Sequence, residues 1–147
     1  MTKQNFSTVF LIVLIFGLSM SFGYAAKRSA TVKELKGWAE YSLPGENSYQ
    51  PLRIGVKLPS GTEVKTNKNA EVTVNVLPGA AMRIAGDTTV RFDGMEFEKV
   101  GNDIKKRKAR ISLSSGTVST LLDKQDPEDT DFRIDTPQGS AAARGTF

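Results

Sequence analysis

Apolar and polar residues alternate in short runs along most of the chain. Ala70, Val72, Val74 and Val76 alternate with Glu71, Thr73 and Asn75, the two-residue period of a strand with one buried face. The same period appears at Leu35, Gly37, Ala39 and Tyr41, and opens a second strand at Leu52 and Ile54 that Val56 and Leu58 continue. It returns at Thr62, Val64 and Thr66, at Met82 and Ile84, at Val90 and Phe92, and at Met95 and Phe97. Ala109, Ile111 and Leu113, then Val118 and Thr120, then Phe132, Ile134 and Thr136 complete the series.

Turn residues separate these runs: Pro44-Gly45, Pro59-Ser60-Gly61, Pro78-Gly79, Gly86-Asp87, Asp93-Gly94, Gly101-Asn102-Asp103, Ser114-Ser115-Gly116 and Pro137-Gln138-Gly139. Asp93-Gly94 reads as a hairpin dipeptide, and Gly55 marks a bulge or a close backbone approach. Small residues from Ser140 to Ala143 let backbones approach closely, and Arg144 opens a further strand. No window of a dozen residues carries a helical apolar stripe. The pattern predicts an all-β domain of many short strands, and spacing alone leaves a sandwich, a barrel and a short solenoid open.

The first residues follow different rules. Lys3 precedes an apolar run from Val9 to Leu18, and Gly23-Tyr24-Ala25 supplies small residues, the form of a secretory signal peptide over residues 1–25 cleaved before Ala26. An uncleaved membrane anchor is the alternative, although the run is near the lower length limit for a bilayer span. Residues 26–34 are expected as a flexible amino-terminal segment, frayed from Ala26 to Ala30, with the domain at 35–147. The predicted location is therefore export, to a periplasmic or extracellular space, with no stable membrane span after cleavage.

Composition narrows the chemistry. The 147 residues carry a net charge of +4, and loss of the leader removes one Lys and no acid, leaving +3. So mild an excess does not argue for nucleic acid, and export argues against it. There is no Cys and no His, which removes disulfides, thiol chemistry, and the commonest metal ligand and general base. Ser114-Ser115-Gly116 lacks the Gly-x-Ser-x-Gly form. No catalytic residue, metal ligand or cofactor site is expected.

Two sets of residues are candidates for partner contact. Lys105, Lys106, Arg107 and Lys108, with Arg110, form the one dense basic run. In a strand Lys106, Lys108 and Arg110 share one face and Lys105 and Arg107 the other, which favours a solvated edge over a single anion-binding patch. Trp38, the only tryptophan, could anchor a partner, although covering one end of the core is the commoner role. The acidic stretch Asp123 to Asp131 lacks the spacing of a calcium loop and reads as solvated. Arg144 is expected to pair with a carboxylate near the core.

Taken in order, these segments resemble the FecR-like domain over about Leu35 to Phe147. Leu35-Lys36-Gly37-Trp38-Ala39 is similar to its opening strand. The stretch from Leu52 through Gly55, Pro59-Ser60-Gly61 and Thr66 is similar to its central segment, and Ala70 to Leu77 to the strand that follows. Ile111 to Val118 resembles the apolar-x-Leu-x-x-Gly-x-apolar step, and Phe132 to Pro137 with Ala143 to Thr146 the closing Thr-Pro and Arg-Gly-Thr segments. The resemblance implies an exported all-β domain, twisted and solenoid-like or sandwich-like, that binds other proteins. Its name-giving members are membrane regulators with a cytoplasmic sigma-binding part, and too few residues precede the apolar run here for such a part. Family members continue past the last motif, so the final strand ends early or the sequence is a fragment. The expected partner is another envelope protein or an anionic cell-surface polymer. A self-assembling scaffold and an anchored signalling regulator are the alternatives, and the oligomeric state is open.

Overall fold

The computed structural model describes residues 28–123 and 129–144. In chain order the strands are β1 Ser29–Lys36, β2 Ala39–Ser42, β3 Gln50–Pro51, β4 Lys57–Pro59, β5 Glu63–Thr66 and β6 Glu71–Leu77. They continue as β7 Ala80–Ile84, β8 Thr89–Val100, β9 Asp103–Ser115, β10 Val118–Leu122, β11 Asp129–Thr136 and β12 Gly139–Arg144. One sheet has the order β10-β7-β6-β1-β4 and the other β12-β11-β9-β8-β5-β2-β3. Every pairing is antiparallel except β9 with β11.

Alternation explains why the sheets meet. Val32, Leu58, Val72, Val74, Met82 and Ile84 point inward from the five-stranded sheet, and Val64, Val90, Phe92 and Ile111 from the seven-stranded one, into one apolar cluster. Each is fully shielded from solvent, and each stabilises the fold by about 1.5–3 kcal/mol relative to exposure. The arrangement is a sandwich of two sheets. Hairpins build it, so it is not a coil of parallel strands, and neither sheet closes into a barrel.

Five sequence expectations need correction. The run Leu35 to Tyr41 is two strands, not one. Gly37 takes a left-handed φ of +73°, where a Cβ would lie 3.0 Å from Ala70 Cα, and there the chain leaves the five-stranded sheet for the seven-stranded one. Of the segment expected to fray, Ser29 and Ala30 already belong to β1: Ala30 pairs with Leu58 and is fully buried.

Leu52 and Ile54 open no strand beyond the two residues of β3. Leu52 is buried with its N–H on the Ala39 carbonyl at 2.9 Å, while Ile54 sits on a turn, 64% exposed.

Asp93-Gly94 makes no hairpin. β8 runs straight through it, and the register passes from Phe92–Ile111 to Gly94–Arg110, leaving Asp93 as an extra residue. This bulge resets the parity of the strand. Phe92 lies inward before it, and Met95 lies inward after it instead of outward. Lastly, Ser140 to Ala143 already belong to β12, paired residue by residue with β11. The predicted leader (1–25), the acidic-loop residues 124–128 and the closing residues 145–147 lie outside the described residues.

Candidate functional site

The basic run falls on β9, the strand between β8 and β11. Arg107, Ala109 and Ile111 turn inward and Lys106, Lys108 and Arg110 outward, exposed. Lys105 is exposed nearer the hairpin end. Across the antiparallel pairing Lys106 meets Glu98 and Lys108 meets Glu96. Across the parallel pairing Lys108 meets Asp131 and Arg110 meets Arg133. Lys106 Nζ lies 3.9 Å from a Glu98 oxygen, and Arg110 Nε lies 3.9 Å from an Asp135 oxygen. The outward cations of β9 therefore run between two columns rich in carboxylates.

The bulge gives this face a shallow groove of about 230 Å³ lined by Asp93, Gly94, Glu96, Lys108 and Arg110. Asp93 accepts hydrogen bonds from Arg91 Nε at 2.5 Å and from the Ser112 hydroxyl. The Asp93 carboxylate holds the Arg91 guanidinium above its ordinary pKa. Further along, the Tyr49 hydroxyl donates to Glu63, and Lys65 Nζ stands 4.0 Å from the centre of the Tyr49 ring. Hydrogen bonding with the Tyr49 hydroxyl, the largest cause, raises the Lys65 pKa; burial opposes it, and weaker electrostatic attraction to Tyr49, Glu63 and Glu40 adds to the rise. Nothing in the sequence signals this cluster, because its members meet only when β5 has paired with its neighbours.

Arg107 leaves the surface set. It is 3% exposed, its Nε donates to Thr130 Oγ1 at 3.1 Å and its terminal nitrogen to the Pro78 carbonyl at 3.2 Å. It ties β9 to β11 and to the turn between β6 and β7. Trp38 does not cover the core. It is 53% exposed at the Gly37 corner, where its carbonyl accepts from the Asn67 N–H at 3.0 Å.

That end of the sandwich is closed instead by two buried threonines. Thr66 Oγ1 donates to the Ala85 carbonyl at 2.6 Å and accepts from the Thr88 N–H at 3.0 Å. Thr88 Oγ1 accepts from the Thr117 N–H at 3.0 Å and donates to the Gly86 carbonyl at 3.1 Å. The Arg144 side chain, expected to pair with a carboxylate, lies outside what is described, although its backbone stands opposite Asp131.

The family model for FecR protein matches residues 62–147. The chain belongs to the FecR family. No curated protein and no solved structure matches it. FecR is a signalling and regulatory domain family, compatible with a non-catalytic interaction module, and its proteins are associated with the cell envelope. The FecR match starts just before β5 and so takes in the bulged β8, the charged β9 and the closing β11–β12 hairpin. β1 to β4 precede it. Yet β1 pairs with both β4 and β6, so the folded FecR sandwich extends to the amino-terminal side of the match. Among the described residues no helix is long and apolar enough to cross a membrane.

Proposed function

We propose that this FecR-family chain is an exported, non-catalytic interaction module that recognises a protein partner of the cell envelope through the outward face of β8, β9 and β11. The observation that carries the reading is the placement of carboxylates beside the β9 cations. A uniform basic patch attracts any polyanion, whereas alternating columns of opposite charge suit a partner with the complementary pattern. An anionic polymer or lipid surface is therefore the poorer fit. The family's signalling role, and the lack of histidine and cysteine in the chain, agree with recognition without chemistry.

Reversing the three outward cations (Lys106→Glu, Lys108→Glu, Arg110→Glu) is expected to weaken cross-linking to an envelope protein at least tenfold, the scale on which like charges are rejected at an interface. The parent protein is expected to leave anionic vesicles and purified wall polymer unbound at physiological salt. Tight polymer binding that falls steeply with salt would overturn the choice of partner.

The export part of the proposal rests on the leader pattern of residues 1–25. Intact-mass measurement of the protein recovered from the producing cells is expected to show a chain beginning at Ala26. A mass that includes residues 1–25 would point to an anchored regulator instead.

A further inference from the structure

The five-stranded sheet ends at β10, which pairs with β7 alone among the described residues. Natural sheet edges usually carry charge, proline or a bulge that discourages further pairing. The β10 sequence, Val118-Ser119-Thr120-Leu121-Leu122, has none of these. Leu121 points outward and is 69% exposed, the most exposed large apolar side chain described.

Backbone directions on this strand are fixed by its neighbour. The Thr117 carbonyl accepts from Ala85 N–H at 3.0 Å, and the Asp123 N–H donates to the Gly79 carbonyl at 2.8 Å. With Ser119 opposite Arg83 and Leu121 opposite Ala81, the odd-numbered residues bond to β7. The N–H and C=O groups of Val118, Thr120 and Leu122 therefore face the open side.

We propose that this edge is a self-association surface, on which two copies pair their β10 strands antiparallel about a two-fold axis through Thr120. In that register Val118 stands opposite Leu122 of the other copy, and Thr120 opposite its own counterpart. All three edge-facing residues then make hydrogen-bonded pairs, and no other two-fold register uses every one of them. A further observation points to the same axis. The Thr120 hydroxyl is buried and has no hydrogen-bond partner, an unfavourable state for a polar group. The axis brings two Thr120 side chains to one face of adjoining strands, where a rotation about χ1 turns each shielded hydroxyl toward the other and a Thr–Thr hydrogen bond forms.

Charge and shape also suit a second copy. The paired segments carry no charge, so no like charges meet. Leu121 packs directly on Ser119 of the other copy and lies diagonal to its Leu121, within reach of a long side chain. Arg83, opposite Ser119 on β7, is turned toward Glu71 at 3.8 Å. Five paired residues make an interface below the size of stable complexes, so the dimer is weak and concentration-dependent. The pairing uses a different sheet from the one proposed for the envelope partner, so either idea can fail alone.

The test is sedimentation velocity on the purified protein from micromolar to near-millimolar concentration, with two edge variants. Thr120→Pro deletes an outward N–H that the monomer does not use. Leu121→Lys puts a charge on the exposed position. Each is expected to weaken dimerisation at least about tenfold, since the two-fold axis doubles every loss. Leu121→Lys is expected to keep the parent's thermal midpoint.

The cysteine-free chain allows a second readout. Position 119 of one copy faces position 121 of the other at about 4.5 Å between Cα atoms, within disulfide range. Mixed Ser119→Cys and Leu121→Cys proteins are therefore expected to cross-link under mild oxidation more than either alone. A monomer at every concentration, a dimer that neither edge variant weakens, or a mixture that cross-links no better than its components would each overturn the proposal.

Discussion

Replacing Gly116 with alanine is expected to destabilise the domain by about 3–5 kcal/mol, the sum of a strained backbone and a forced clash. Gly116 has a left-handed φ of +92°, and a Cβ there would lie 2.2 Å from Thr88 Oγ1, 2.5 Å from Thr88 Cα and 2.7 Å from the Asp87 carbonyl oxygen. Thr88 cannot simply move aside. Its N–H donates to Thr66 and its hydroxyl accepts from the Thr117 N–H, so displacing it opens the polar closure where both sheets meet. Typical domains have only about 5–15 kcal/mol in total. Urea unfolding reads the loss, with exposed Ser114→Ala as a control expected within about 0.5 kcal/mol of the parent. A Gly116→Ala protein within about 1 kcal/mol of the parent would show that the closure yields easily, against the geometry above.

Truncating Arg107 to alanine is the second large effect, expected at about 3 kcal/mol from lost charge-assisted hydrogen bonds and lost packing. The side chain is all but buried and spans both sheets: Thr130 on β11, and Pro78 in the turn between β6 and β7. Room for it is made by Gly79, where a Cβ would come within 2.6 Å of a guanidinium nitrogen. Lysine cannot reproduce the planar fork, so Arg107→Lys should recover only part of the loss. Thermal and urea unfolding of both variants check this. Equal stability of the alanine variant and the parent would return Arg107 to the surface set. The two ends of the sandwich are thus closed by unlike means, hydroxyls at one and a guanidinium at the other.

Much of the fold was legible in the alternation of Val72, Val74 and Val76 or of Val90 and Phe92, because a sheet with one buried face writes its geometry directly into the sequence. What failed were the places where a chain can alternate without continuing. Leu35 to Tyr41 keeps its period across Gly37 while changing sheets, and only the contact with Ala70 reveals the corner. Asp93-Gly94 carries a hairpin signature, but β9 was long enough to pair on both sides of it, so the dipeptide became a bulge. For the candidate site, strand parity already separated Lys106, Lys108 and Arg110 from Arg107. The carboxylates that flank them come from β8 and β11, and the β11 partners require a parallel pairing that no local pattern announces. Trp38 was misjudged because large aromatics generally close cores, while here threonines do so.

The lone parallel pair has a consequence for how the chain reaches its final form. Once the β8–β9 hairpin has closed, the far edge of β9 stays bare until the polypeptide has visited the other sheet as β10 and returned as β11. Long-range pairings of this kind form slowly, and bare strands in waiting are prone to join with neighbours. Lys106, Lys108 and Arg110 set three like charges along that edge, so two unfinished molecules aligned there repel each other. The basic run thereby acts as a gatekeeper against premature association before it meets any partner.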